Sequence, residues 1–331
     1  MKLLRRRTKM ALVANPNAGK HTPRAGLGAV IGKILAAPPD PHRLYDTQTL
    51  GELAQAAKRI QLSRPDILAV AGGDGTLHQT LTSVLAEYEK QPHAPLPRIL
   101  IVPIGTMNTV ATALGANRRD PVELVKRVSE KIRQGAGFRT VKANILKING
   151  EYGFLYGAGL PVHFLNRYYS YPAELGKWRS AKVIAAVFWD EVLGLLPFRR
   201  SRRLLTEPVH ARIRLPDGHE PPVVPFMSHT GFMVATVDEI GFGCRALPDA
   251  RSCPGSFMIR SLRLSFWRLA VHLARLWSGF GLPAASAFDA VVPAVTIEYE
   301  QPTVTFLDGD MRPPTLRDEI VCGPELEFII D

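Results

Sequence analysis

Cysteine is scarce: Cys244, Cys253 and Cys322 are the only three in a chain of 331 residues. They are odd in number, scattered, and form no CxxC pair. That argues against a disulfide framework and places the chain in a reducing compartment. Long apolar runs are lacking too. The stretch 183–198 is interrupted by Asp190, Glu191 and Pro197, which makes it a poor membrane span. The basic cluster Lys2, Arg5, Arg6, Arg7 and Lys9 imitates the start of a signal peptide. Only residues 10–14 are apolar before Asn15-Pro16-Asn17, too few for the apolar core of such a peptide, and they read instead as a first buried strand. The nine histidines show no metal-ligand spacing. A G-x-S-x-G nucleophile elbow is also missing.

Acidic residues are outnumbered: Asp+Glu total 30 against 41 Lys+Arg, a formal net charge of +11. Such a balance implies an anionic partner, whether nucleic acid, nucleotide phosphates or an acidic membrane surface. No zinc spacing, RNA-binding aromatic signature or helix-turn-helix pattern is present, so no nucleic-acid partner is expected.

The chain is long enough for two domains. Up to about residue 137, short apolar runs (10–14, 67–71, 99–103) alternate with helix-like segments (25–36, 50–62, 77–88, 109–114, 122–134). Alternating strand and helix predicts an α/β fold, a doubly wound parallel sheet forming a nucleotide-binding domain over residues 1–137. Beyond Gly135-Ala136-Gly137, strand-like runs (141–148, 151–156, 209–215, 232–236, 295–300, 303–307) dominate, with turn signals at Asn149-Gly150 and Asp217-Gly218. They predict a mostly antiparallel β domain over 138–331, with helical inserts near 175–196 and 265–278.

Each of three predicted strands in the first domain ends in a loop rich in Gly, Asn or Asp, and such loops gather at the carboxyl edge of a parallel sheet. Asn15-Pro16-Asn17-Ala18-Gly19-Lys20 is not a Walker A loop, because His21 follows the lysine where Ser or Thr is required. Asn15 and Asn17 offer polar side chains, Gly19 a close backbone approach, and Lys20 a point charge for phosphate. An Asn-Pro turn that merely caps a helix is the alternative. Gly72-Gly73-Asp74-Gly75-Thr76 supplies bare backbone N–H groups before a helix, the material of an anion nest. Asp74 repels phosphate directly, so its place is beside a bridging Mg²⁺ or on a hydroxyl proton. In the third loop, Pro103 to Asn108, Gly105 and Thr106 present donors and Asn108 can cap or bind a ligand.

G-G-D-G-T between strand and helix, with N-P-N-A-G-K before it and P-I-G-T-M-N about thirty residues after it, resembles the diacylglycerol kinase catalytic domain family. G-G-D-G-T alone is shared with NAD kinases and 6-phosphofructokinases, and the combination favours the lipid kinases. The resemblance is strongest over residues 10–115. It implies Mg²⁺-ATP as phosphoryl donor, held by Asn15, the 72–76 loop and Thr106 with its neighbours. It also implies a β-rich second domain that takes the lipid. Asp308-Gly309-Asp310 stands where such kinases carry D-G-E, and there the resemblance implies a general base for the substrate hydroxyl. Read from the residues alone, Asp-Gly is a common hairpin-turn signal. Two departures stand out: Thr109 follows Asn108 where the family often has Asp, and Cys253-Pro254-Gly255 replaces an acidic pair of the family's second-domain metal segment.

Residues 265–278 read as an amphipathic helix with Phe266, Leu269, Leu273 and Leu276 on one side and Arg268, His272 and Arg275 on the other. It is either interfacial or packed on the β domain by its apolar stripe. Arg199, Arg200, Arg202 and Arg203 either meet anionic headgroups or form a solvated loop. The expectation is an ATP- and Mg²⁺-dependent lipid kinase of lipid metabolism, cytoplasmic, with peripheral membrane association and homodimer formation left open. Asp74, Asp308 and Asp310 are its candidate catalytic residues, Asp74 also its metal ligand. Asn15, Asn17, Gly19, Lys20, Gly72, Gly73, Gly75, Thr76, Gly105, Thr106 and Asn108 are candidates for ATP. A kinase of a soluble substrate such as NAD, and a non-catalytic nucleotide- or lipid-binding protein, are the alternatives.

Overall fold

Five-residue and six-residue apolar runs bounded by polar loops become buried parallel strands in the computed structural model, which describes residues 8–15, 43–105, 107–116, 120–170, 182, 208–241 and 243–331. The chain divides into two compact units: Met1–Ala143 with Glu325–Asp331, and Asn144–Pro324.

In the first unit, β1 (Met10–Ala14) lies between β2 (Arg43–Asp46) and β3 (Ile67–Gly72), and β3 pairs with β4 (Arg98–Pro103), all parallel. The end of β14 (Asp310–Ile329) adds a parallel partner, Phe328 opposite Ile99. Successive residues of β1 and β3 are equally buried, so both faces of these strands are covered, as a parallel sheet requires. Met10, Leu12, Ile67, Ala69, Leu100 and Val102 share one core with Leu124, Val125 and Val128 of helix α4 (Pro121–Gln134). Helix α1 (Leu50–Ser63) packs on α2 (Asp74–Glu89), and α2 packs on β3. A short helix α3 (Thr109–Ala113) follows β4.

Helix ends follow the capping chemistry of the sequence. Thr49 and Glu52 close a capping box on α1, and Asp120 accepts from Val122 N and Glu123 N ahead of Pro121 at the start of α4. Gly135, left-handed at φ 64°, ends α4.

The second unit is antiparallel. The described strands run in the order β12 (Ala287–Val292), β11 (Phe257–Leu262), β10 (Gly231–Ala235), β7 (Leu155–Gly159), β13 (Ala294–Leu307), β14, with β8 (Val209–Arg214) on the other stretch of β13 and the short β9 (Ser228–His229) paired with β8. β5 (Thr140–Ile148) and β6 (Glu151–Gly153) form a hairpin through Asn149-Gly150, and β13 and β14 form one through Asp308-Gly309. All four turn residues have positive φ (49°, 93°, 49° and 92°), the two-residue geometry that matches strand twist. Tyr156, Phe232, Phe257, Ile297, Leu307 and Ile320 lie in its core. Helix α5 (Leu160–Ser170) follows β7, and α6 (Phe266–Trp277) follows β11. The segments 25–36 and, apart from residue 182, 175–196, read as helices from sequence, lie outside the described residues, as does the 199–203 arginine cluster. Among the described residues no helix is long and apolar enough to cross a membrane.

Candidate active site

In the first unit the ends of β1, β3 and β4 bring Asn15 and the loops after β3 and β4 together. Gly72 O, the last carbonyl of β3, accepts from Ile104 N at 3.0 Å and Gly105 N at 3.2 Å, so the third loop continues the β3–β4 ladder. The two loops then touch backbone to backbone. A Cβ on Gly105 would stand 2.4 Å from Gly73 Cα, and a Cβ on Gly72 would stand 2.3 Å from Thr76 Cβ. Only glycine permits either approach. Asn15 reaches the same place, its N–H on Ala71 O at 3.3 Å and its Nδ2 at 3.5 Å from Thr76 Oγ1.

The carboxylate of Asp74 reaches across to the third loop. Oδ2 accepts from Thr109 N at 2.9 Å and Oδ1 from Val110 N at 3.2 Å. Asp74 therefore caps α3 from 35 residues away. Asn108, the residue before α3, is left-handed (φ 49°, ψ 45°) and donates through Nδ2 to Gly105 O at 2.8 Å. Asparagine tolerates that conformation better than most residues. Its Oδ1 is buried without a hydrogen-bond partner among the described residues.

What this leaves is the N-terminus of α2. Gly73 starts the helix with no side-chain cap, whereas α1 and α4 are capped by Thr49 and Asp120. The first turn of this 16-residue helix thus begins on a glycine beside the third loop, and a helix N-terminus is a place where an anion is favoured.

In the second unit, Asp308 and Asp310 differ sharply. The Asp308 carboxylate is buried and accepts from Phe154 N at 3.0 and 3.1 Å and from Leu155 N at 2.8 Å. Gly153 makes room for it: a Cβ there would lie 2.8 Å from Asp308 Oδ2. Asp310 is exposed at the start of β14. Tyr169, on α5, donates to Gly309 O between them at 3.1 Å.

Residues 9–139 match the diacylglycerol kinase catalytic domain. The motifs that carry the resemblance all fall inside that match except Asp308-Gly309-Asp310. Over 153 residues the chain is 31% identical to a diacylglycerol kinase of Staphylococcus carnosus, covering 46% of this chain and 45% of that one. Over 136 residues it is 33% identical to a mitochondrial acylglycerol kinase of Xenopus laevis, covering 41% of this chain and 28% of the relative. The chain thus spans less than half the length of these curated relatives. A crystal structure of a diacylglycerol kinase from Bacillus anthracis covers 98% of this chain and 97% of its own, with TM-score 0.62 and 17% identity. A second structure from that organism reaches TM-score 0.68 at 20% identity. At such identities the likeness is one of fold.

Of the candidate site residues read from the three loops, the structure brings together Asn15, Gly72, Gly73, Asp74, Thr76, Gly105 and Asn108. Gly75 lies between Asp74 and Thr76 in the first turn of α2. Asn17, Gly19, Lys20 and Thr106 lie outside the described residues. Sequence reasoning gave Asp74 to metal and phosphate and did not foresee its capping of α3. A visible signal was α3 itself, which begins at Thr109 with an N-cap, Asn108, whose amide is used elsewhere. Among the described residues no group of three or more His, Cys, Asp and Glu could hold a metal ion. In the second unit, Asn144 Oδ1 accepts from Gly255 N at 3.0 Å and its Nδ2 donates to Gly323 O at 3.2 Å, beside the Cys253-Pro254-Gly255 turn.

Proposed function

We propose that the chain transfers the γ-phosphate of ATP to the hydroxyl group of a lipid of the diacylglycerol or sphingoid kind. The observation that carries this reading is the glycine N-terminus of α2, packed backbone to backbone against Gly105 inside the segment that matches a diacylglycerol kinase catalytic domain. The first-turn N–H groups of α2 and the buried Asn108 Oδ1 are the groups that nucleotide would occupy. Asp74 is the carboxylate of this loop cluster, so Mg²⁺ would take most of its ligands from phosphate and water, which suits that ion. When bound it would neutralise the charge that phosphates bring beside Asp74.

Asp310 is the better general base of the two turn carboxylates, because it is exposed whereas Asp308 is buried on Phe154 N and Leu155 N. It would accept the lipid hydroxyl proton as the oxygen bonds to the γ-phosphorus and the bridge to the β-phosphate breaks, releasing ADP. Positioning and charge neutralisation supply most of the rate in such transfers.

The test incubates the protein with Mg²⁺ and γ-labelled ATP across a mixed-micelle panel of diacylglycerol, monoacylglycerol and sphingosine, with Asp74→Asn as control. Label in one lipid, lost in Asp74→Asn, is the expected result. Label in NAD alone, or nucleotide binding with no label transferred, refutes the lipid-kinase reading.

A further inference from the structure

Helix α6 is apolar on more than the face it packs. Leu269 and Leu276 lie against Leu262, Leu264 and Ala287. His272 shares that side, half-buried, with an Nδ1 that has no partner among the described residues. At about 100° per residue, Trp267, Val271 and Ala274 fall on the opposite side of the helix. Val271 is 76% exposed, Trp267 55% and Leu273 41%, and Phe280, just past the helix, is 64% exposed. A surface helix ordinarily turns polar residues outward, and clustered apolar exposure marks an interaction surface.

Along this stretch of chain the charge has one sign. Residues 250–288 contain Arg251, Arg260, Arg263, Arg268 and Arg275 and no Asp or Glu. Arg260 is buried on Asp289, whereas Arg263, Arg268 and Arg275 are exposed. Arg268 and Arg275 are seven residues apart, two helical turns, and so line the same flank of the outward stripe.

We propose that α6 is a docking surface for an anionic phospholipid bilayer. The helix lies in the interface plane with Trp267, Val271 and Phe280 among the upper acyl chains and Arg263, Arg268 and Arg275 at the phosphates. Twelve residues are too few to span a bilayer, which leaves the in-plane orientation. A second copy of the chain is the poorer occupant, because a two-fold contact sets this arginine-bearing surface against itself. The surface belongs to the second unit alone, and its role does not require that the chain phosphorylate anything.

Full-length protein is sedimented with vesicles of phosphatidylcholine alone and of phosphatidylcholine with one quarter phosphatidylglycerol. Binding to the anionic vesicles is expected, with little to the neutral ones and a marked loss in high salt. Each arginine at an anionic surface is worth roughly five-fold, so Arg268→Ala/Arg275→Ala binds roughly thirty-fold more weakly. Val271→Asp, on an exposed position, keeps its melting temperature and loses most of the binding. Brominated acyl chains quench tryptophan emission of the wild type, and Trp267→Phe removes most of that quenching. Equal vesicle binding by all variants overturns the proposal. So does a wild-type dimer in sedimentation velocity that Val271→Asp dissociates, which assigns the face to a second copy. Because the readout is vesicle binding, it is independent of whether labelled phosphate is ever transferred.

Discussion

Asp308 and Asp310 are two residues apart and the structure gives them different work, which mutation can separate. Asp308→Ala strips the acceptor from two backbone N–H groups, those of Phe154 and Leu155, at a residue that is only 7% exposed. A buried donor left unsatisfied costs about 1–3 kcal/mol, hence about 2–6 kcal/mol for the pair. Alanine at φ 49° adds about 1 kcal/mol. A loss near 5 kcal/mol is a large part of a domain's stability, and at about 2–4 °C per kcal/mol it lowers the melting temperature by about 10–20 °C. Asp308→Asn keeps one oxygen for both N–H groups and tolerates the left-handed turn, so only the charge assistance goes, about 1 kcal/mol or 2–4 °C. Asp310→Asn is exposed and stays within about 0.5 kcal/mol of wild type. Turnover inverts the order. In its proposed role of general base, Asp310 would contribute about 10²–10⁴-fold, so Asp310→Asn should lose that factor while Asp308→Asn keeps most of its rate. Calorimetry and the labelled-ATP assay read the two effects. An Asp308→Ala protein melting within about 2 °C of wild type, or an inactive Asp308→Asn beside an active Asp310→Asn, would refute the division of labour.

Two further expectations follow from other parts of the structure. Gly105→Ala must push the third loop off Gly73, since its Cβ would lie 2.4 Å from Gly73 Cα. Overpacking of this size costs about 1–3 kcal/mol, so the protein folds while ATP affinity, by calorimetric titration, falls about ten-fold or more. Gly137→Ala, whose Cβ would meet nothing within 4 Å, is the control and leaves both unchanged. Burial pushes the His229 imidazole below its ordinary pKa of 6.5, only partly offset by its bond to Ala211 O. Below about pH 6.5 the unfolded chain therefore takes up a proton that the folded one refuses. His229 withdraws stability as pH falls through that value and costs nothing above it. Melting temperatures between pH 8 and 5.5 should fall less steeply in His229→Gln than in wild type, and identical slopes would remove His229 as a source.

Much was legible wherever the determining chemistry lies within a few neighbouring residues. β1 occupies the residues of its apolar run, Met10–Ala14, because Asn15 leaves the pattern immediately. Asn149-Gly150 and Asp308-Gly309 announce their hairpins, since both central residues must take positive φ. The glycine-rich loop at 72–76 likewise shows itself as a strand-to-helix turn. Other elements escaped. β14 runs for twenty residues through Pro313, Pro314 and Pro324 and many charges, and is not among the strands read from sequence. It is a strand because β13 pairs with it over most of its length, with register shifts between Glu298 and Thr305. β2 is four largely exposed residues made a strand by pairing with β1. On α6, sequence periodicity put His272 with the arginines and Leu273 with the core; packing turns the helix so that His272 lies between Leu269 and Leu276 and Leu273 is exposed.

From its sequence alone the chain determined which segments alternate as strand and helix, where the tight turns fall, and that three polar loops follow buried strands. These depend on local periodicity, capping and allowed backbone angles. Tertiary structure decided what the carboxylates do. Asp74 meets Thr109 and Val110 across 35 and 36 residues, and Asp308 meets Phe154 across 154. Which donors converge on an acceptor depends on how distant segments are laid side by side, and no short stretch of chain encodes that.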